Sequence, residues 1–84
     1  MTTILLFELP ACKECRRLHK EITRVLDRLP DHDIQLETRN LMLSIEARQY
    51  NVTTAPCLVV LKNGAEVGRF TQISSAEAFI DLCM

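Results

Sequence analysis

The stretch Pro-Ala-Cys-Lys-Glu-Cys, residues 10–15, holds two of the chain's four cysteines, Cys12 and Cys15, with two residues between them. Two thiols at that spacing suit two kinds of chemistry. They can open and close a disulfide, or they can supply ligands to a four-ligand metal site or to an iron–sulfur cluster bridging two chains. For the first, Cys12 attacks a partner disulfide as the thiolate and Cys15 resolves the mixed disulfide. For the second, Cys12, Cys15 and His19 form a C-x2-C-x3-H pattern, and Cys57 is the residue left to complete the set. The bland alternative for His19 is a solvated helix residue. Which chemistry applies depends on the elements that hold the pair.

Those elements can be read from the spacing of apolar residues. Residues 2–8 are β-branched and apolar and stop at Pro10, which describes a buried strand. From Cys12 to Leu29 the period changes: Leu18, Ile22, Val25, Leu26 and Leu29 form one stripe of a helix, with Arg16, Lys20, Arg24 and Asp27 on the wet side. Pro30 disfavours helix at the residue before it. Residues 33–40 alternate and predict a strand; 41–50 predict a short helix; 57–62 predict a third strand. Asn63-Gly64 is a hairpin signal, which pairs 57–62 with 66–70. Ser74 and Glu77 predict a capping box opening a last helix over 74–83. The order β-α-β-α-β-β-α predicts an α/β fold: a mixed four-stranded sheet flanked by helices, with the first βαβ unit parallel and right-handed.

On that plan Cys12 sits where a strand turns into a helix. Free backbone N–H groups and the helix dipole favour an anion there, so the position lowers the thiol pKa of Cys12 and makes it the nucleophile. Lys13, Arg16 and Arg17 add positive charge nearby and Glu14 opposes it. Cys15, inside the first turn, can reach back to Cys12. Cys57 is expected as a small buried hydrophobe opening a core strand, with a third thiol near the site as the alternative. Cys83 is expected in the core face of the last helix; a Cys57–Cys83 disulfide is a further alternative. Phe7, Phe70 and Phe79 are expected in the core, Tyr50 half-buried at a helix end, and His32 facing solvent in a turn.

The segment 50–70, with its Asn-Val loop, proline, apolar strand, Asn-Gly and second strand, resembles the thioredoxins around their cis-proline. Residues 7–15, with a proline two residues before the first cysteine, resemble the glutaredoxin form of the motif. The resemblance covers nearly the whole chain and implies a short protein of the thioredoxin/glutaredoxin superfamily with the thioredoxin fold. It implies that Cys12 attacks and Cys15 resolves, and that Pro56 is the cis-proline. It further implies that the Ala55–Pro56 peptide binds substrate backbone in the manner of an added strand, beside the dipeptide Lys13-Glu14. The activity implied is protein-disulfide reduction, with no bound cofactor. Its partners would be disulfide-containing proteins and an electron donor, either a reductase or a low-molecular-weight thiol. The chain departs from both families. Ala11 replaces the thioredoxin tryptophan, Lys13-Glu14 its Gly-Pro, and Leu6 its buried aspartate. Leu9 stands where glutaredoxins often place a lysine, and Ile73-Ser74-Ser75 where they carry Gly-Gly and an acid.

Totals narrow the class further. Eighty-four residues predict one domain over 1–84, expected as a monomer. A net charge of −1 argues against a nucleic-acid partner. The apolar run Ile4–Phe7 has no basic segment before it and is too short for a signal peptide or a membrane span. The expected location is cytoplasmic, where cysteines serve catalysis or metal binding more than structural disulfides.

Overall fold

The computed structural model describes residues 1–29 and 32–84; Pro30, expected to end the first helix, lies outside the described residues. The elements run β1 (Thr2–Glu8), α1 (Lys13–Asp27), β2 (Ile34–Asn40), α2 (Ile45–Gln49), β3 (Cys57–Lys62), β4 (Ala65–Phe70) and α3 (Ala76–Cys83). The strands form one sheet in the order β2-β1-β3-β4. β1 pairs parallel with β2 and antiparallel with β3, and β3 pairs antiparallel with β4. This is the expected mixed α/β architecture.

The two central strands carry the unbroken apolar runs 4–7 and 57–61 because both of their faces are covered there. Side chains alternate across a strand, so consecutive residues enter different cores. Ile4, Leu6, Leu58 and Val60 join Leu18, Ile22 and Val25 of α1 and Phe79 and Cys83 of α3 on one face. Leu5, Phe7, Cys57, Val59 and Leu61 join Ala47 and Val52 on the other. The first layer is the larger, and it anchors α1 by the stripe that its sequence spacing predicts. Phe70 meets Phe79 edge-on, with ring centres 5.6 Å apart. The buried Thr2 hydroxyl donates to the carbonyl of Cys83 at 2.8 Å, tying the end of α3 to β1.

Several boundaries differ from the sequence expectation, each for a local reason. The helix expected over 41–50 shrinks to Ile45–Gln49. Leu41 N–H still donates to the Glu8 carbonyl, extending the sheet, and Asn40 then folds the chain over: its Oδ1 accepts from Met42 N–H, and its carbonyl from Leu43 and Ser44 N–H. Such an Asn turn competes with helix, and Ser44 starts α2 by accepting from Ala47 N–H. The cap of α3 is Ser75, which accepts from Ala78 N–H at 3.2 Å, so Ser74 and Glu77 make no capping box. His32 is half-buried, and its Nδ1 accepts from Ile34 N–H at 3.1 Å, so it braces the start of β2 instead of facing solvent. α1 itself starts at Lys13 and ends at Asp27. Asn63 (φ 50°) and Gly64 (φ 84°) both lie in the left-handed region that a type I′ hairpin requires. β4 starts at Ala65, and a register shift opposite Val60/Leu61 interrupts the hairpin, which no residue pattern announced.

The register puts one end of the sheet to use. β1 and β2 finish there, while β3, running the other way, begins there: Phe7 lies opposite Cys57, and Glu8 opposite Asn40. The Cys12 turn, the Pro56 loop and the segment after β4 are therefore gathered at one edge.

Candidate active site

Ala11 makes the sharp exit from β1. It is an L-residue at φ 57°, a conformation that costs about 1–2 kcal/mol and is tolerated where surroundings over-determine it. The next residue, Cys12, is the N-cap of α1 with extended backbone (φ −96°, ψ 109°), and its Sγ accepts from the Cys15 N–H at 3.1 Å. That bond occupies one of the free donors at the helix end. The sulfur in the structure is the half-cystine of a Cys12–Cys15 disulfide, with the two Cα atoms 5.2 Å apart. The same N–H would face the thiolate after reduction. Placing the first cysteine one residue outside the helix, not inside it, is what aims the donor at its sulfur.

The two cysteines differ in exposure. Cys12 is half-buried at the surface, whereas Cys15 is 1% exposed. Cys15 points inward because it shares a helix face with Leu18, Ile22 and Val25.

The structure sorts the other expected site residues. Ala55 and Pro56 are half-buried, and the peptide bond joining them is cis. Pro56, Glu14, Arg17, Leu18, Glu21, Thr71, Gln72 and Ile73 line one small groove of about 150 Å³ between α1 and the β4–α3 link. Glu14 and Pro56 are thus brought together. Lys13 is not; it lines a depression on the outer side of α1 with Arg16, Arg17, Lys20, Glu21 and Arg24, five cations and one carboxylate. Thr71, Gln72 and Ile73 were missed as groove residues. The hairpin signal held the clue, since pairing Phe70 with Leu58 sets residues 71–73 beside Pro56.

Cys57 does not join the pair. Its side chain packs on the far face of the sheet from α1, with Phe7, Ala47 and Val52. Cys83 packs on the α1 face, so Cys57 and Cys83 lie on opposite sides of the sheet and both are free thiols. That separates them from any mutual disulfide. Among the described residues, no group of three or more His, Cys, Asp or Glu side chains converges as a metal site would need. His19 is half-buried on α1 and does not complete one. Leu6 packs beneath α1, and among the described residues Thr2 is the one buried polar or charged side chain, so no fully buried carboxylate lies under the disulfide there.

Away from the pair, Arg69 ties the hairpin to the loop before Pro56. Its Nε and Nη2 donate to both oxygens of Glu66, and Nη2 also donates to the carbonyl of Tyr50. The hydrogen bonds from Arg69 hold the Glu66 carboxyl below its ordinary range. Arg39 bridges Glu37 and Glu46 likewise, joining β2 to α2.

Burial pushes both the Cys57 and Cys83 thiols up, with Arg69 and Lys62 respectively pulling back weakly. A raised folded-state pKa means stability is full below the unfolded thiol value, near 8.5, and declines as pH rises through and past it, because only the unfolded chain ionises there. Unfolding midpoints in urea are therefore expected to fall above pH 8.5, less steeply in Cys57→Ala. In reduced native protein, iodoacetamide is expected to modify Cys12 and leave Cys57 and Cys83 untouched until denaturant is added; equal labelling of all the thiols, read by mass spectrometry, would contradict this burial.

No family model matches the chain, and no curated protein matches it. Solved structures do. Trxlp from Edwardsiella tarda is 24% identical, with a TM-score of 0.79 over 99% of this chain and 82% of that one. Thioredoxin 1 from the thermophilic eubacterium Thermosipho africanus is 22% identical, at 0.73 over 95% and 88%. A mutant thioredoxin from Halobacterium salinarum is 19% identical, at 0.77 over 98% and 71%. The chain has the thioredoxin fold. Within it, the chain carries a C-x-x-C disulfide at the N-terminus of the helix that follows β1.

Proposed function

We propose that this protein is a thiol–disulfide oxidoreductase that reduces disulfides in other proteins through Cys12 and Cys15. The observation that carries the proposal is the unequal placement of a bonded pair: Cys12 half-exposed at a helix cap with a donor on its sulfur, Cys15 buried behind it. Only Cys12 can be approached by a second disulfide. The Cys12 thiolate attacks one sulfur of the substrate; the other sulfur leaves and takes a proton. The Cys15 thiolate then attacks Cys12 Sγ, the second substrate sulfur leaves, and the protein is left as the disulfide. Two electrons pass to the substrate, and an external dithiol or reductase must return them. No bound cofactor is required.

The cis Ala55–Pro56 edge is the surface on which an extended substrate backbone would lie, with Glu14 across the groove. The reading places the protein in the cytoplasm as a monomer, with disulfide-containing proteins and a reductase or small thiol as its partners. Among the described residues, no helix is long and apolar enough to cross a membrane.

The test is the rate of Cys12 alkylation against pH in reduced, metal-free protein, with Cys12→Ser as the blank. An inflection well below the free-thiol value near 8.5 is expected from the helix-end donors. An inflection at or above that value would remove the physical basis for the assignment.

A further inference from the structure

The outer face of α1 carries a charge pattern that the exchange chemistry does not require. Residues 13–28 hold six of the chain's ten Lys and Arg against three carboxylates, while the rest of the chain holds four against eight. Lys13, Arg16, Lys20 and Arg24 recur at three- and four-residue spacing, so they share one side of the helix. All four are exposed. At 1.5 Å rise per residue, the strip runs about 16 Å and starts one residue after Cys12.

Of the four cations elsewhere in the chain, two are neutralised locally, while Arg48 and Lys62 have no carboxylate within 4 Å among the described residues. Arg39 has Glu37 and Glu46, and Arg69 has Glu66. On α1, Arg17 alone has a carboxylate partner among the described residues, Glu14 at 3.8 Å. Lys13, Arg16, Lys20 and Arg24 have none there within 4 Å. Arg16, Lys20 and Arg24 also line a shallow depression with His19 and Thr23.

We propose that this strip is a docking surface for acidic protein substrates, those with Asp and Glu residues flanking the disulfide to be reduced. The inference rests on the reductase reading. A substrate sulfur bonded to Cys12 Sγ holds the surrounding substrate surface over the first turns of α1, where the unpaired cations are. Complementary charge there raises the encounter rate, and the excess of carboxylates on the rest of the chain turns the approach toward α1. A nucleic acid fits this placement less well. It has no disulfide to bring to Cys12, and it would meet the chain's net negative remainder along its length.

The experiment compares three disulfide-bonded peptides of identical cysteine spacing, with acidic, neutral or basic flanks. Their kcat/KM values are measured from about 0.01 to about 1 M salt, over which the Debye length falls from roughly 30 to 3 Å. The acidic peptide is expected to be reduced about tenfold faster than the neutral one at low salt. The advantage should vanish at high salt and be lost in the double variant Lys20→Glu, Arg24→Glu, whose substitutions lie two or more helical turns from Cys12, with the neutral peptide's rate unchanged. Equal rates for the acidic and neutral peptides at low salt would overturn the docking surface while leaving the reductase intact. So would a preference that survives the double variant. Reduction of none of the three peptides would overturn the reductase reading, and this inference with it. Oligonucleotide binding that the double variant abolishes, alongside peptide rates independent of flank charge, would reassign the strip to nucleic acid.

Discussion

The Cys12→Ser variant is expected to reduce protein disulfides no faster than the uncatalysed background, the largest functional effect of any single substitution in this chain. The reason is chemical, not structural. Exchange requires a sulfur that can attack as an anion and then hold an S–S bond to the substrate. A serine hydroxyl does neither at neutral pH. The cap survives, because a serine Oγ accepts from a backbone N–H as well as sulfur does or better, so the variant should fold normally and report on chemistry alone. Cys15→Ser should behave differently. Cys12 still attacks, but the neighbour that releases the substrate is gone, and with it the advantage of an intramolecular step over one from solution. The expected product is a long-lived mixed disulfide, visible as a mass equal to protein plus substrate without reductant. A Cys12→Ser protein that turned over at the unmodified rate would sink the mechanism. A Cys15→Ser protein that accumulated no adduct would sink the assignment of roles.

The largest expected effect on stability is that of Phe7→Ala. Phe7 is fully buried in the second core layer, next in the sheet to Cys57, and it is the penultimate residue of the strand that delivers the chain to Ala11 and Cys12. Truncating a buried phenylalanine costs about 3–5 kcal/mol, from lost transfer energy and the cavity left behind. A domain of this size has about 4–13 kcal/mol in all. The variant should therefore show a much lower urea midpoint, or be substantially unfolded, and Cys57 should become open to alkylation without added denaturant. Val67→Ala is the matched control: Val67 is 41% exposed on β4, and the change should stay within about 0.5 kcal/mol. A Phe7→Ala loss as small as the control's would mean that this layer is not packed as described.

Much of the scaffold was legible in the residues because local rules and burial agree. β1 and β3 are built on the unbroken apolar runs 4–7 and 57–61, and strands covered on both faces read that way. The α1 stripe of Leu18, Ile22 and Val25 matches the face that packs on the sheet. Asn63-Gly64 supplies the two positive φ angles its turn demands. Legibility failed where a side chain competes with the backbone. Asn40 closes a turn that cuts the expected helix to five residues. Ser75, not its neighbour Ser74, captures the free N–H of α3. Two serines in a row offer two equivalent caps, and the choice falls to how α3 must sit for Phe79 and Cys83 to reach the core. His32 was misjudged for the same reason, since a turn residue counts as solvated until its ring finds a backbone donor.

The site divides along the same line. Residue order alone determined the bonded C-x-x-C pair, because C-x-x-C where a strand meets a helix is a local arrangement held within four residues. It also determined the element order and the cationic side of α1, which follows from helical spacing. Tertiary structure decided everything that depends on residues distant in the chain. It set Pro56 and residues 71–73 beside Glu14, through strand pairings no short window contains. It placed Cys57 on the far face of the sheet, away from the pair, because side-chain direction in a strand is fixed only by which face its partners cover. It made the two paired cysteines unequal: one turn of helix buries Cys15 against the core and leaves Cys12 at the surface, where its sulfur meets both solvent and a backbone donor.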